Sequence, residues 1–178
     1  MQRITPITTD HQLILEGLDV LRLIVNRLET DEFVEPEDIT AVLSFLRDVG
    51  CECLERTEQL LLRPALLRAK KREHVQRLKT ALARHAAIRP LFDDTAAGVT
   101  SRKHFVLRVH LLTKLVGDLI LEEDHSLLQA AVDLLGDPEG QLHLEKFREQ
   151  ERGISGIAVR RSPSLRRLET KYAYPHCV

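Results

Sequence analysis

From Leu13 to Leu28 the apolar residues fall at Leu13, Ile14, Leu18, Leu21, Ile24, Val25 and Leu28. Steps of three and four residues, kept up for about five turns, set them along one stripe of a helix. Such a helix is marginal alone in water, so the rest of the chain has to cover it. Thr8, Thr9 and Asp10 offer N-caps for this helix, and TDEFVEPED ends it. Pro36 suits the first turn of a second helix, where its missing N–H has no intrahelical role, and Glu37 and Asp38 complement the helix dipole. The second helix is expected to run into the high 60s, with Pro64 kinking it or ending it within a turn or so.

A third helical pattern extends from Glu73 to Phe92. No Gly or Pro marks the turn before it. A break between Leu67 and Arg72 is inferred because roughly 55 unbroken helical residues do not suit a compact domain. DDTAAGVTS reads as a loop, with Gly98 stopping the third helix and Thr100 or Ser101 capping a fourth, which reaches about Leu135, where GDPEG ends it. Four helices with short connections predict an all-α, up-down-up-down four-helix bundle over residues 1–140. Residues 141–178 read as a C-terminal appendage packing on the bundle: a short helix near Leu142 to Arg152, a link GISGIAV, then RRSPSLRRLETKYAY carrying Leu165, Leu168, Tyr172 and Tyr174.

A chain of 178 residues holds one core of ordinary size; with 43% hydrophobic but only 4% aromatic residues and no Trp, that core is aliphatic and suits helix-on-helix packing. Lys and Arg (26) nearly balance Asp and Glu (27), which removes the global electrostatic case for a nucleic acid or an anionic membrane as partner. The longest apolar runs are too short to span a bilayer, and MQRITPITTDHQ has no signal-peptide apolar region. Cys51 and Cys53 project about 200° apart on a helix, which argues against a disulfide between them and for a reducing cytoplasm.

If the first two helices are antiparallel about a turn near residue 33 or 34, His11 is level with Leu54 to Glu58. A turn near residue 70 or 71 brings His85 to the same height, and Glu122 and Glu123 are the nearest carboxylates on the fourth helix. Two histidines and several carboxylates at one level of a bundle are the ingredients of a dinuclear metal site, each helix adding inward ligands at spacings of three or four. His74 competes with His85: the two lie 11 residues apart, close to three turns, and a turn near residue 100 points to a level between them.

The segments DHQLILEGLDVLRLIVNRLE, PEDITAVLSFLRDVGCECLERTEQLLLRPAL, LARHAAIRPLFDD, LVGDLILEEDHSLL and LEKFREQERGISG together resemble the hemerythrin-like HHE cation-binding family, over roughly residues 8–155. The resemblance implies His11 and His85 as the ligands of the first and third helices, and Glu58 and Glu123 as bridging carboxylates. Two family histidines are replaced, by Leu54 and Leu119, each four residues before a retained glutamate. Glu55 stands at the family's second histidine position, so the implied set is His11, Glu55, Glu58, His85 and Glu123. That set is harder and richer in carboxylates than an oxygen carrier's.

Two functions are compatible with this pattern. The resemblance implies a cytoplasmic metal-binding protein with a non-haem iron site, di-iron when intact, with zinc or manganese as alternatives. It would act in iron handling or in the response to oxygen, peroxide or nitric oxide, with a metal ion or a small diatomic ligand as its partner. The other function is a metal-free bundle, Leu54 and Leu119 filling the space of the lost imidazoles, that acts as an interaction module in a homodimer or with another protein. It makes one physical demand: His11, His85, Glu58 and Glu123 must be satisfied by one another or by water, since unpaired buried carboxylates cost several kcal/mol. No nucleophile triad, phosphate-binding Gly loop, CxxC pair or nucleic-acid motif argues for another enzyme class.

Overall fold

The computed structural model describes the backbone of residues 5–97 and 101–173, and the side chains of residues 10–95, 101–150 and 163–173. The expectations placed on Gly98, Thr100 and Tyr174 lie outside them. All regular structure among the described residues is helical. α1 (Thr5–Glu29) and α2 (Pro36–Thr57) form a hairpin, and α2 passes through a π-helical turn (Glu58–Leu62) into the short α3 (Arg63–Arg68). α4 (Arg72–Ala97) and α5 (Arg102–Glu122) follow, α5 passing through a second π-helical turn (Glu123–Leu127) into α6 (Leu128–Leu134). α7 spans Pro138–Ala173. α1 packs on α2 and α5, α4 packs on the same two helices, and α7 lies along α1 and α2. No helix among the described residues is long and apolar enough to cross a membrane.

Local chemistry explains most of the boundaries. After α1, Asp31 adopts φ 62°, its N–H reaching the Leu28 carbonyl at 3.2 Å while the Glu32 N–H reaches that of Arg27 at 2.9 Å. These two bonds are a Schellman motif with Asp in the place more often taken by Gly. Pro36 opens α2 with Glu37 and Asp38 in its first turn, as its sequence predicts. α1 itself starts before the expected caps: Thr8, Thr9 and Asp10 lie inside it, and Asp10 is buried against Arg56 of α2 rather than capping a helix end.

Two other expectations are corrected, while the one on Pro64 holds: the helix ends at Arg68, within about a turn of the proline. The π-helical turn ahead of Pro64 adds a residue to the ring and lets the Arg63 N–H bond the Glu58 carbonyl, so that proline falls in the first turn of α3, where no N–H is needed. α4 runs past Phe92 to Ala97 with Pro90 inside it, so Asp93, Asp94 and Thr95 are helical rather than loop. α7 is continuous through Gly153 and Gly156, where a link was expected, and through Pro163 beyond it. Glycine weakens a helix by about 1 kcal/mol, less than the tertiary packing that holds both ends of α7 against the other helices.

The core falls into two clusters. One is built by α1, α2, α4 and α5 with Leu165, Leu168 and Tyr172 of α7. The other joins Leu61, Leu62, Leu78, Leu127, Leu144 and Phe147, among others. Along α2 the first cluster ends at Leu54 and the second begins at Leu61; along α5 and its π-helical turn the corresponding residues are Ile120 and Leu127; along α4 they are Ile88 and Ala81. Glu58, Glu123 and His85 occupy the gap on each helix. A polar layer therefore crosses the interior between two apolar ones.

Candidate functional site

Three buried residues form the centre of this layer: His11 from α1, His85 from α4 and Glu123 at the start of the second π-helical turn. Glu123 offers one oxygen to each histidine: Oε1 lies 2.8 Å from His85 Nε2, and Oε2 lies 3.3 Å from His11 Nε2. The other ring nitrogen of His11, Nδ1, is 2.7 Å from Oδ1 of Asp124. Cys53 lines the cavity beside His11. Nδ1 of His85 is buried without a hydrogen-bond partner.

These contacts set the charges. Burial pushes the His11 imidazole toward its neutral form, but its interactions with Asp124, Cys53 and Glu123 outweigh that, and the pKa is pushed up to about 12. Burial likewise opposes ionisation of Glu123, and the hydrogen bonds from His11 and His85 override it, holding the carboxyl below its ordinary value. A doubly protonated imidazole has no lone pair to offer. His11 and Glu123 are therefore a buried ion pair.

Glu58 is engaged elsewhere. Its Oε1 accepts from Nε of Arg63 at 2.8 Å and from a second nitrogen of the same guanidinium, and its Oε2 accepts from Arg89 at 3.4 Å. Arg63 follows Glu58 by five residues, a spacing that diverges on an α-helix and converges in a π-helical turn. Glu55 is exposed and accepts from Gln59 at 2.9 Å. Of the five residues expected to form one ligand set, the structure thus brings together His11, His85 and Glu123. Glu58 lies in the same polar layer on two arginines, and Glu55 faces outward.

Leu54 and Leu119 line one small cavity together with His11, Cys53 and Glu123. Gly50 lines it too, and a Cβ there would meet the Phe92 ring at 2.9 Å, so glycine is what lets α2 approach α4 beside the cavity. The space is ≈ 10 Å³, the threshold for a single water molecule. Among the described residues no three His, Cys, Asp or Glu side chains are disposed to hold a metal ion together. The residues present do not fit a two-metal centre: the two positions that the resemblance would give to histidine are leucine, one carboxylate is held by arginines, and Glu55 is exposed.

His85, not His74, faces Glu123. The pair is not symmetric about the α4–α5 connection, which lies between Ala97 and Arg102, so level-matching about residue 100 pointed between the two histidines and did not choose His85. His74 is half-buried and lines a separate small cavity with Arg77 and Leu78. Sequence reasoning missed Asp124, Arg63 and Arg89 as partners. Asp124 neighbours Glu123, and adjacent helical side chains diverge by about 100°. Both still reach His11, because the two nitrogens of one imidazole point in different directions. No family model, curated protein or solved structure matches the chain.

Proposed function

We propose that the chain is a hemerythrin-like four-helix bundle of α1, α2, α4 and α5 in which protein cations stand in for metal ions, and that its role is protein interaction. One observation carries this reading. Both carboxylates that the resemblance assigns as bridging ligands are already partnered by the protein: Glu123 is paired with His11 and hydrogen-bonded to His85, and Glu58 is held by Arg63 and Arg89. Leu54 and Leu119 fill the wall where two imidazoles would stand. A metal would have to displace a proton from His11 and two guanidinium groups from Glu58. The polar layer then has a structural task, fixing the register of the helices between two apolar clusters. Exposed leucines on α5, Leu107, Leu111 and Leu121, supply a surface for a partner.

A second reading keeps a reduced non-haem metal site for iron, zinc or manganese on His11, His85 and Glu123. Asp124 favours it, because a carboxylate behind the second nitrogen of a histidine is how metal-binding imidazoles are commonly oriented. Thermal unfolding with added ferrous iron, zinc or manganese separates the two. A metal bound by the folded state alone raises Tm. No shift with any of them is expected; a shift that a chelator removes and that Glu123→Ala abolishes would establish the second reading instead.

A further inference from the structure

α5 has a buried face and, opposite it, a stripe of exposed leucines that no described residue buries. Val109, Leu112 and Val116 are buried in the core. On the opposite side Leu107, Leu111 and Leu121 are exposed to 57%, 47% and 69%, with exposed Lys114 and Asp118 between them. From 107 to 121 the steps alternate four and three residues, the spacing of a coiled-coil seam. Gly117 borders this stripe. A Cβ at that position would meet nothing within 4 Å, so packing inside the chain does not call for a glycine there. Glycine weakens an exposed helix, and what it offers in return is close approach of another backbone.

We propose that this stripe is a two-fold interface with a second copy of the chain, α5 packing antiparallel on its counterpart about an axis at the height of Val116. The proposal deepens the interaction reading above and rests on it, naming the partner. In this register Leu111 meets the partner's Leu121, Lys114 meets the partner's Asp118, and each contact occurs twice. Such self-complementarity is the hallmark of a two-fold interface. A parallel arrangement would set Lys114 against the partner's Lys114, so charge selects the antiparallel one. Within one chain Lys114 Nζ already bonds Asp118 Oδ2 at 2.8 Å. Dimerisation re-partners those charges and leaves none alone. Gly117 lies one residue from the axis, where the two helices come closest.

Sedimentation equilibrium of the full chain over a range of concentrations tests this. A reversible dimer is expected. Asp118→Lys, which sets like charges opposite each other, should weaken self-association by about tenfold or more, and Lys114→Asp combined with Asp118→Lys should restore it. Circular dichroism of each variant should match the wild type, since all the changes are on the surface. A single-chain mass at every concentration, or a dimer indifferent to the charge exchange, would overturn the proposal. Metal analysis of the same samples keeps the two readings apart: a metal-loaded dimer that obeys the charge exchange would support this interface while overturning the metal-free reading, and a metal-free monomer would do the reverse.

Discussion

Glu58 and Glu123 stand in matching local geometry: each opens a π-helical turn, and each follows a buried leucine, Leu54 or Leu119, by four residues. A π-helical turn changes the phase of a helix, so side chains that would diverge meet on one face. The first such turn gives Arg63 its reach to Glu58, and the second sets Glu123 between two histidines while Asp124 touches the first of them. Both distortions fall where the polar layer crosses the core. The same adjustment on two helices places two buried carboxylates, Glu58 on two arginines and Glu123 on two histidines.

Removing Glu123 should be costly. His11 would keep Asp124, but the buried pair would be broken and His85 would lose its hydrogen-bond partner. Breaking a buried ion pair costs about 3–5 kcal/mol. Urea unfolding of Glu123→Ala at neutral pH should show a loss of that order; a loss within the range of ordinary surface substitutions would contradict the account.

The network also predicts a pH dependence. His11 has a folded-state pKa of about 12 against 6.5 for a free imidazole. A group with a raised pKa contributes fully below its unfolded value and loses that contribution as pH rises toward the folded one. Glu123 behaves in the opposite sense: its pKa is lowered from 4.5, so its contribution is full above that value and is lost as pH falls through the folded one. Both contributions are therefore complete between 4.5 and 6.5. The stability difference between wild type and His11→Gln, measured by urea unfolding, should be largest in that window and shrink as pH rises. A constant difference across neutral and alkaline pH would speak against a charged His11.

Asp10 and Arg56 make a second test of buried charge. They pair in the interior, with Arg56 5.5 Å from the centre of the Phe147 ring, yet Asp10 Oδ1 and Arg56 Nε and Nη1 have no partner. Loss of one partner strands a buried charge, while replacing both by apolar residues does not. Arg56→Met alone should cost about 3–5 kcal/mol, and Asp10→Leu combined with Arg56→Met should be neutral or stabilising by about 1–4 kcal/mol. Thermal unfolding of the single and double variants decides it, and additive losses would refute the pairing.

If the proposed hemerythrin-like reading holds, supplying the side chains that the resemblance expects should create a metal site. In a chain carrying Leu54→His, Leu119→His, Arg63→Ala and Arg89→Ala, two imidazoles return to the cavity wall and Glu58 is released from its arginines. That variant should take up ferrous iron or zinc, read by elemental analysis after dialysis. A variant with wild-type helical content that still binds neither would mean that more than these four positions closed the site.

Apolar spacing in α1 and the Pro36-Glu37-Asp38 start of α2 were legible in the sequence because each depends on residues close together along the chain. The level of His11 with α2 was also legible: Asp10 meets Arg56 about a centre at residue 33, as the hairpin argument requires. What was hidden depends on phase and packing. The extension of α4 through Asp93 to Ala97 carries no local stop signal before Gly98, and the offset of α4 against α5 that sets His85 rather than His74 beside Glu123 is fixed by packing. The π-helical turns have no composition of their own, so the pairing of Glu58 with Arg63 was invisible to a reading at α-helical spacing. α7 holds Gly153 and Gly156, which read as a link, and only the packing at its two ends shows why it remains helical.

The central claim is that protein cations, not metal ions, neutralise the buried carboxylates. Its most direct test is the metal content of the purified chain after reconstitution with ferrous iron, zinc or manganese and removal of excess, beside a Glu58→Ala, Glu123→Ala double variant. The account predicts no stoichiometric metal in either protein. Stoichiometric metal in the native chain that disappears in the double variant would contradict it and identify the polar layer as a working metal site.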